Sequence, residues 1–343
     1  MTSEQHGGNI FANPVQYDFS ANLNPLGLPE SVCQAVFDNS DLWEHYPDPY
    51  CTDLRKAISE HENYPAEKII CGNGADDLLY RIVQAFRPEK TLICAPTFGE
   101  YQKALTENQC LVTEYLLDEK NHFLLTESFL NALTPDIDML ILCHPNNPTG
   151  RCIPAELLQK IAEICDDNKI LLLCDECFLD FVPDGISIRN FMRETVIILK
   201  AFTKIYAMPG IRLGYAMTGN SELAEKIRNI GQFWSVSAPA QTAGISALKE
   251  KKYLEKTLKM IQQERQFLQN SLSELHLKYY PSDANFILFR AKPDLKAKLL
   301  SEKILIRECS NYNGLDDTYY RIAVRNHEEN QVLISALRRW VHG

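Results

Sequence analysis

Five short apolar runs constrain this chain more than any other feature. They read KIICG, KTLICAPT, DMLILCHPNNPTG, KILLLCDECF and TVIILKAF. Their apolar residues are continuous rather than alternating, the pattern of strands buried on both faces. The segments between them carry helical spacing instead. CTDLRKAISEH places Leu54 and Ile58 on one face, and ADDLLYRIVQAF does the same with Leu78, Leu79, Ile82, Val83 and Phe86. PAELLQKIAEICDDN has a similar stripe. Strand-like runs alternating with amphipathic helices predict an α/β fold, with a mostly parallel sheet covered on both sides. Functional groups are then expected at the carboxyl ends of the strands.

The ends of the chain read differently. The first 45 residues or so are turn-rich, densest at NLNPLGLP, and predict an arm or loop. After about residue 235 comes a long amphipathic helix, ALKEKKYLEKTLKMIQQERQFLQNSLSEL. Shorter α+β segments follow: ANFILFR, LKAKLLSEK, ILIREC, YYRIAVR and a C-terminal helix. The expected organisation is a large α/β domain over residues 41–240 and a small α+β domain built from residues 1–40 and 241–343.

Charge and composition narrow the function classes. The net charge is −10 and no basic stripe is present, which excludes nucleic acid as the expected partner. No apolar run approaches the roughly 20 residues that span a bilayer. The start, MTSEQHGGNIFANP, lacks a basic stretch leading into an apolar core, so a cytoplasmic location is expected. Eleven cysteines, mostly inside apolar runs, read as reduced thiols behaving as small hydrophobes. Cys174 and Cys177 have C-x-x-C spacing, which suits a redox or metal pair. No second such pair accompanies them, and the apolar surroundings equally suit a strand end.

Four signals fall at strand ends. CGNGADD is a glycine-bearing turn into a helix, which presents backbone N–H groups to an anion. HPNNPTG offers Asn147, LLLCDE places Asp175 after a strongly apolar run, and AFTKIYAMPGIRLGY holds Lys204 and Arg212. Singly, each has a plain structural use: Asp175 can cap a helix, Lys204 can snorkel, and Arg212 can pair with a surface acid. Together they have one chemical use. A desolvated lysine amine forms a Schiff base with an aldehyde, and a buried carboxylate holds a pyridinium nitrogen protonated. An asparagine bonds a ring hydroxyl, while a helix N-terminus, Thr203 and an arginine clamp a phosphate. Those are the parts that hold pyridoxal phosphate and make its ring an electron sink.

In that order, GNGADD, NNPTG, CDECF and FTKIYAMPGIRLGY resemble the fold type I pyridoxal-phosphate enzymes, in the class I and II aminotransferase branch. The resemblance covers nearly the whole chain. It implies a large domain with a mostly parallel seven-stranded sheet, a small α+β domain, and pyridoxal 5'-phosphate as cofactor. It also implies roles. Lys204 matches the catalytic lysine bonded to the cofactor's aldehyde carbon, Asp175 the acid at the pyridine nitrogen, and Asn147 the contact to the ring hydroxyl. Phe98 matches the aromatic that stacks on the ring. Gly74, Ala75, Asp76, Thr203 and Arg212 match the phosphate cup. Tyr46 resembles a tyrosine that reaches the neighbouring subunit's cofactor, which implies a homodimer with shared sites. Arg321 matches the arginine that holds a substrate α-carboxylate.

Within the branch, two groups are similar. Histidinol-phosphate aminotransferases share the length and motif order. Cobalamin-pathway threonine-phosphate decarboxylases share more: HGGNI, DFSANLNPLG, and IRECSNYNGL before YYRIAVR. Those segments supply Asn22, and His6 and Arg307 as candidates for a substrate phosphate. Two departures from the aminotransferase pattern stand out. Phe178 replaces a tyrosine that donates to the ring hydroxyl, which fits the decarboxylase group better. Ala201 stands where a hydroxyl residue is common, leaving Thr203 as the nearer phosphate donor. The resemblance therefore implies decarboxylation of a small phosphoamino acid, O-phospho-L-threonine or O-phospho-L-serine. Transamination of histidinol phosphate is the alternative, and a non-catalytic cofactor-binding sensor is the alternative of another class.

Overall fold

The computed structural model describes residues 6–342. The first five residues of the expected arm, and Gly343, lie outside the described residues. Seven strands form the central sheet: β1 (Ile69–Gly72), β2 (Lys90–Ala95), β3 (Leu111–Leu116), β4 (Met139–Cys143), β5 (Leu171–Asp175), β6 (Val196–Ala201) and β7 (Gly214–Thr218). Their order is β1-β7-β6-β5-β4-β2-β3. Strand β7 runs antiparallel to both of its neighbours, and every other pairing is parallel.

The five apolar runs supply β1, β2, β4, β5 and β6. Sequence patterning did not reveal β3 or β7. Strand β3 lies at the sheet edge and leaves Leu111 and Leu116 each 63% exposed, so it needs no continuous apolar run. Strand β7 is short and begins inside the stretch that carries Lys204 and Arg212.

The inner strands are buried on both faces. Leu140, Leu142, Leu172, Cys174 and Ile198 join one apolar cluster, and the alternate residues Ile141, Cys143, Leu173, Ile197 and Leu199 join the other. Helix α1 (Thr52–Glu62) contributes Leu54 and Ile58 to the first cluster. Helices α2 (Ala75–Phe86) and α3 (Gly99–Glu107) cover the second with Leu78, Ile82, Tyr101 and Leu105. Helix α4 (Ala155–Asp167) packs Leu158 and Ile161 on the first. Each such side chain contributes about 1.5–3 kcal/mol on burial. Cys174 and Cys177 fall in different clusters, so their thiols are packing groups on separate sides. Burial pushes both thiols well up from the usual range.

A one-turn helix, α5 (Phe202–Ile205), follows β6 directly. Two helices lie here, α6 (Ala238–Ala247) and α7 (Lys251–Glu274), and the second is the long helix expected from Ala247. The first buries small residues, Ala240, Ala243 and Gly244, against Leu213 and Leu54, whereas α7 presents a separate stripe with Ile261 and Leu268. Three further strands, β8 (Phe286–Arg290), β9 (Arg307–Glu308) and β10 (Tyr319–Ala323), form an antiparallel sheet ordered β9-β10-β8. In that sheet Arg307 lies directly opposite Arg321, and directly opposed residues share a face. The N-terminal segment Tyr17–Asp18 pairs in parallel with Ile304–Leu305. No described helix is long and apolar enough to cross a membrane.

One buried ionic cluster ties α1 to the strand that leads to Lys204. Glu62, the last residue of α1, accepts from Lys200 Nζ at 3.0 Å, Arg189 Nη1 at 2.7 Å and the Tyr215 hydroxyl. Lys200 Nζ also reaches Asp180 at 2.8 Å. Burial alone would raise the Glu62 carboxyl, but Lys200, the Tyr215 hydroxyl and Arg189 outweigh it and hold it at about 2. A carboxyl depressed in the folded state stabilises above its unfolded pKa and loses that stabilisation as pH falls towards the folded value. From about 4.5 down to about 2 this amounts to roughly 3 kcal/mol. The Glu62→Gln variant is therefore expected to be less stable than the parent by roughly that amount near pH 7. In urea melts the gap should narrow steadily from pH 5 to pH 3; a gap independent of pH would contradict the assignment.

Candidate active site

The carboxyl ends of β4, β5 and β6 open into a cavity of about 510 Å³. Cys143, Asp175 and Ala201, the last residues of those strands, all line it. So do Ala75 and Asp76 at the start of α2, and Phe98, Asn147, Thr203, Lys204 and Arg212. The opposite wall comes from the chain ends: His6, Asn22, Arg307 and Arg321. Tyr46 does not line this cavity. It is 79% exposed and stacks on Trp234 with ring centroids 4.3 Å apart.

The turn before α2 depends on Gly74. Its φ is +92°, and a Cβ there would lie 2.6 Å from Arg212 Nη2. The missing side chain lets the Arg212 guanidinium lie against the helix start. Arg212 Nη2 also stands 3.8 Å from Asp76, and its Nη1 donates to the Pro209 carbonyl at 3.2 Å. The backbone N–H groups at the head of α2, the buried Thr203 hydroxyl and Arg212 thus form an anion cradle.

Asp175 is buried and takes its hydrogen bonds from neutral donors: the Tyr101 hydroxyl at 2.5 Å and the Cys177 backbone N–H at 2.9 Å. Burial raises its carboxyl above the usual range, against the pull of those donors. A desolvated carboxylate held by neutral donors is suited to a cationic ring nitrogen. Tyr101 was not singled out by the sequence. It lies three residues after Phe98, one helical turn on, and the two rings meet edge to face with centroids 5.5 Å apart. That spacing in TFGEY is the signal that would have found it.

Lys204 sits in α5 with its Nζ 6.0 Å from the Phe178 ring centroid. Burial first, and then the Arg321 charge, lowers its proton affinity, while Asp76 opposes. In the His144–Gly150 turn the two asparagines divide their work. Asn146 holds the turn, donating to the Pro96 carbonyl at 3.0 Å and to Thr149 Oγ1 at 2.9 Å. Asn147 faces the cavity and accepts from Arg321 Nη1. His144 has both ring nitrogens engaged, with Ile153 N at 3.0 Å and Ile186 O at 2.9 Å, and is structural.

On the opposite wall, Arg321 Nη2 donates to the Ser20 carbonyl at 2.8 Å. Arg307 Nη2 donates to Asn311 at 2.6 Å, and its guanidinium lies 5.5 Å from the Tyr312 ring centroid. His6 Nε2 pairs with the largely buried Glu100 at 2.7 Å, and the Tyr80 hydroxyl donates to the same carboxylate at 3.0 Å. Glu100, Lys103, Ser20 and Tyr312 also line the cavity and were not expected from the sequence.

The donor set fits pyridoxal phosphate. Asn22 Oδ1 and Arg321 Nε are buried without a hydrogen-bond partner beside the cavity, so polar capacity remains for a ligand. The Gly74 cradle suits the phosphate, Asp175 the ring nitrogen and Lys204 the aldehyde carbon. Among the described residues no cluster of metal-ligating side chains occurs. Gly74→Ala is expected to weaken cofactor retention about tenfold or more, because the left-handed backbone and the displaced Arg212 guanidinium each cost on the order of 1 kcal/mol. Equilibrium dialysis against free cofactor measures this; unchanged retention would remove Gly74 from the cradle.

The family model for aminotransferase class I and II matches residues 14–337. The chain is 39% identical to the threonine-phosphate decarboxylase of Salmonella typhimurium, over 100% of this chain and 98% of that relative. The solved histidinol-phosphate aminotransferase from Clostridium acetobutylicum superposes with a TM-score of 0.89 at 30% identity, covering 95% of this chain and 99% of that one. The solved L-threonine-O-3-phosphate decarboxylase from Porphyromonas gingivalis gives 0.83 at 25% identity, covering 95% and 99%. The chain belongs to the class I and II aminotransferase family and has its fold type I architecture.

Proposed function

We propose that this chain is a pyridoxal-phosphate-dependent decarboxylase of a small phosphoamino acid. The reaction converts O-phospho-L-threonine to aminopropanol phosphate, or O-phospho-L-serine to ethanolamine phosphate, with release of carbon dioxide. The observation that carries this reading is the wall opposite Lys204. There Arg307 and Arg321 lie side by side, with His6 on the same cavity. A substrate bearing both a carboxylate and a phosphate has two anionic groups to place, and that wall offers a cation for each. The full-length likeness to a threonine-phosphate decarboxylase supports the same reading.

The bound cofactor supplies the electron sink for the bond broken at the substrate Cα. The chain's residues do the rest. Arg321, fixed by Asn147 and the Ser20 carbonyl, orients the substrate carboxylate. Arg307 and His6 receive the phosphate and hold the opposite end of the substrate. Asp175 keeps a proton on the ring nitrogen. Lys204 Nζ, in its ammonium form, delivers to Cα the proton that takes the place of the departing carboxylate; burial and the Arg321 charge lower its proton affinity and so make it a better donor. Phe178 and Phe286 pack edge to face with centroids 5.0 Å apart, an apolar wall beside Lys204 that excludes water and makes no bond to the ring hydroxyl.

Histidinol-phosphate transamination is the second reading, favoured by the likeness to the Clostridium acetobutylicum structure. The holoenzyme given O-phospho-L-threonine is expected to release carbon dioxide and aminopropanol phosphate. Rapid turnover of histidinol phosphate with 2-oxoglutarate, and no carbon dioxide from the phosphoamino acid, would favour the transaminase. A visible cofactor band that shifts with ligand but never turns over would favour a sensor. One methyl group separates phosphothreonine from phosphoserine, so discrimination between them is expected to stay within about 10–200-fold. In the same assay Arg321→Ala should raise KM or abolish turnover while the cofactor stays bound; cofactor loss would move Arg321 out of the substrate's neighbourhood.

The active unit is a homodimer in this reading, with Tyr46 of each copy serving the other's site. Exposed aromatics support it: Tyr46, Tyr50, Phe233 and Trp234 form one patch, each at least 46% exposed. Light scattering of the holoenzyme should give twice the chain mass of 39.2 kDa, and a monomer at full activity would refute shared sites.

A further inference from the structure

A second polar cleft, of about 280 Å³, shares no lining residue with the cavity around Lys204. Its walls carry Arg55 from α1, Arg81 from α2 and Arg228 from the end of helix Ser221–Arg228. Gln232 and Ser235 add neutral donors, and no aspartate or glutamate lines it.

The three guanidinium groups are fixed mainly by backbone carbonyls. Arg55 donates to Ala66 O at 3.1 Å and to Tyr50 O at 3.4 Å, and Arg228 donates to Glu67 O at 3.1 Å. Arg81 donates to Ile227 O at 3.2 Å and touches Asp77 at 3.5 Å. Arg81 is only 5% exposed, and its buried Nε has no hydrogen-bond partner. Asp77 takes up part of the Arg81 charge, and the carbonyl bonds orient the three groups without neutralising them. Burial, and then the charge on Arg55, pushes the Arg228 guanidinium below its usual range; Glu225 opposes and Arg81 adds to the repulsion. Three oriented cations converging on a cleft lined by no acid are an arrangement that an anion in the cleft relieves.

We propose that this cleft binds a small multivalent anion of the phosphate class, such as a phosphate monoester or pyrophosphate. A single carboxylate would leave two of the three guanidinium groups uncompensated, whereas a phosphoryl group presents at least three acceptor oxygens to planar N–H forks. The volume suits a small ester. Within one chain the cleft is separate from the substrate wall of Arg307 and Arg321, so the inference does not depend on which reaction the chain performs; Tyr50 and Phe233 on its rim belong to the aromatic patch of the proposed homodimer, so the anion would sit at the edge of that interface.

The test is calorimetric titration of the holoenzyme with pyrophosphate at constant ionic strength, on the parent and on Arg307→Gln, Arg228→Gln, Arg55→Gln and Arg228→Lys. Binding should survive Arg307→Gln and weaken about tenfold or more in Arg228→Gln and in Arg55→Gln. Arg228→Lys, which keeps the charge, should retain part of the affinity, separating loss of a ligand contact from damage to the fold. Binding that vanishes in Arg307→Gln and persists in Arg228→Gln would overturn the proposal, placing the anion in the substrate cavity alone. So would a parent that binds no pyrophosphate. A fall in particle mass by light scattering in Arg228→Gln, with pyrophosphate affinity unchanged, would also overturn it and assign the cleft to a contact between two copies.

Discussion

A carboxylate at the end of a strand buried on both faces is expensive to keep. Asp175 occupies that position, and much of the site is arranged around its cost. Its two protein donors, Tyr101 and the Cys177 N–H, satisfy hydrogen bonds but bring no positive charge. Desolvation in an apolar sheet therefore leaves a carboxylate that gains most from a cationic ring nitrogen in the cavity beside it. Strand β5 holds its backbone between β4 and β6, with Asp175 paired to Cys143 on one side and Leu199 on the other, so the acid sits on the sheet rather than on a loop.

The other constraint is the meeting of the chain's ends with that sheet. Arg321 reaches from β10 to Asn147 in a turn after β4, and to Ser20 in the N-terminal segment. One guanidinium thereby joins three distant stretches at the cavity wall. Antiparallel pairing puts Arg307 on the same face. On this wall Arg321 bonds neutral groups, Asn147 and the Ser20 carbonyl, so its charge remains available to an incoming anion. In the cleft of Arg55, Arg81 and Arg228 backbone carbonyls are the main partners, with Asp77 touching Arg81 alone.

Much of this was legible in the sequence, for a physical reason. Continuous apolar runs mark strands covered on both faces, so β1, β2, β4, β5 and β6 were readable. The polar residue that ends such a run stands out by contrast, as Asp175 does. Strand β3 was not readable because an edge strand has no continuous run to show. Helix α6 was not readable because it buries small residues, with Gly244 close to Leu213 and Leu54, and has no stripe of large apolar side chains. Tyr101, Glu100 and Lys103 were missed because helix α3 was not read from the sequence, and only its start beside the cavity gives those residues a use.

The sequence by itself determined the α/β pattern and the order of the motifs around Lys204, since these rest on local periodicity and on residue types with few structural uses. Tertiary structure alone decided which face each cation serves. Arg212 was expected at an anion cradle, but the reason Gly74 must precede α2 is the approach of that guanidinium across the turn. Arg307 and Arg321 stand together through strand register, and His6 meets Glu100 from 94 residues away in sequence. Spacing along a chain cannot encode such meetings, because they depend on how separately folded segments pack.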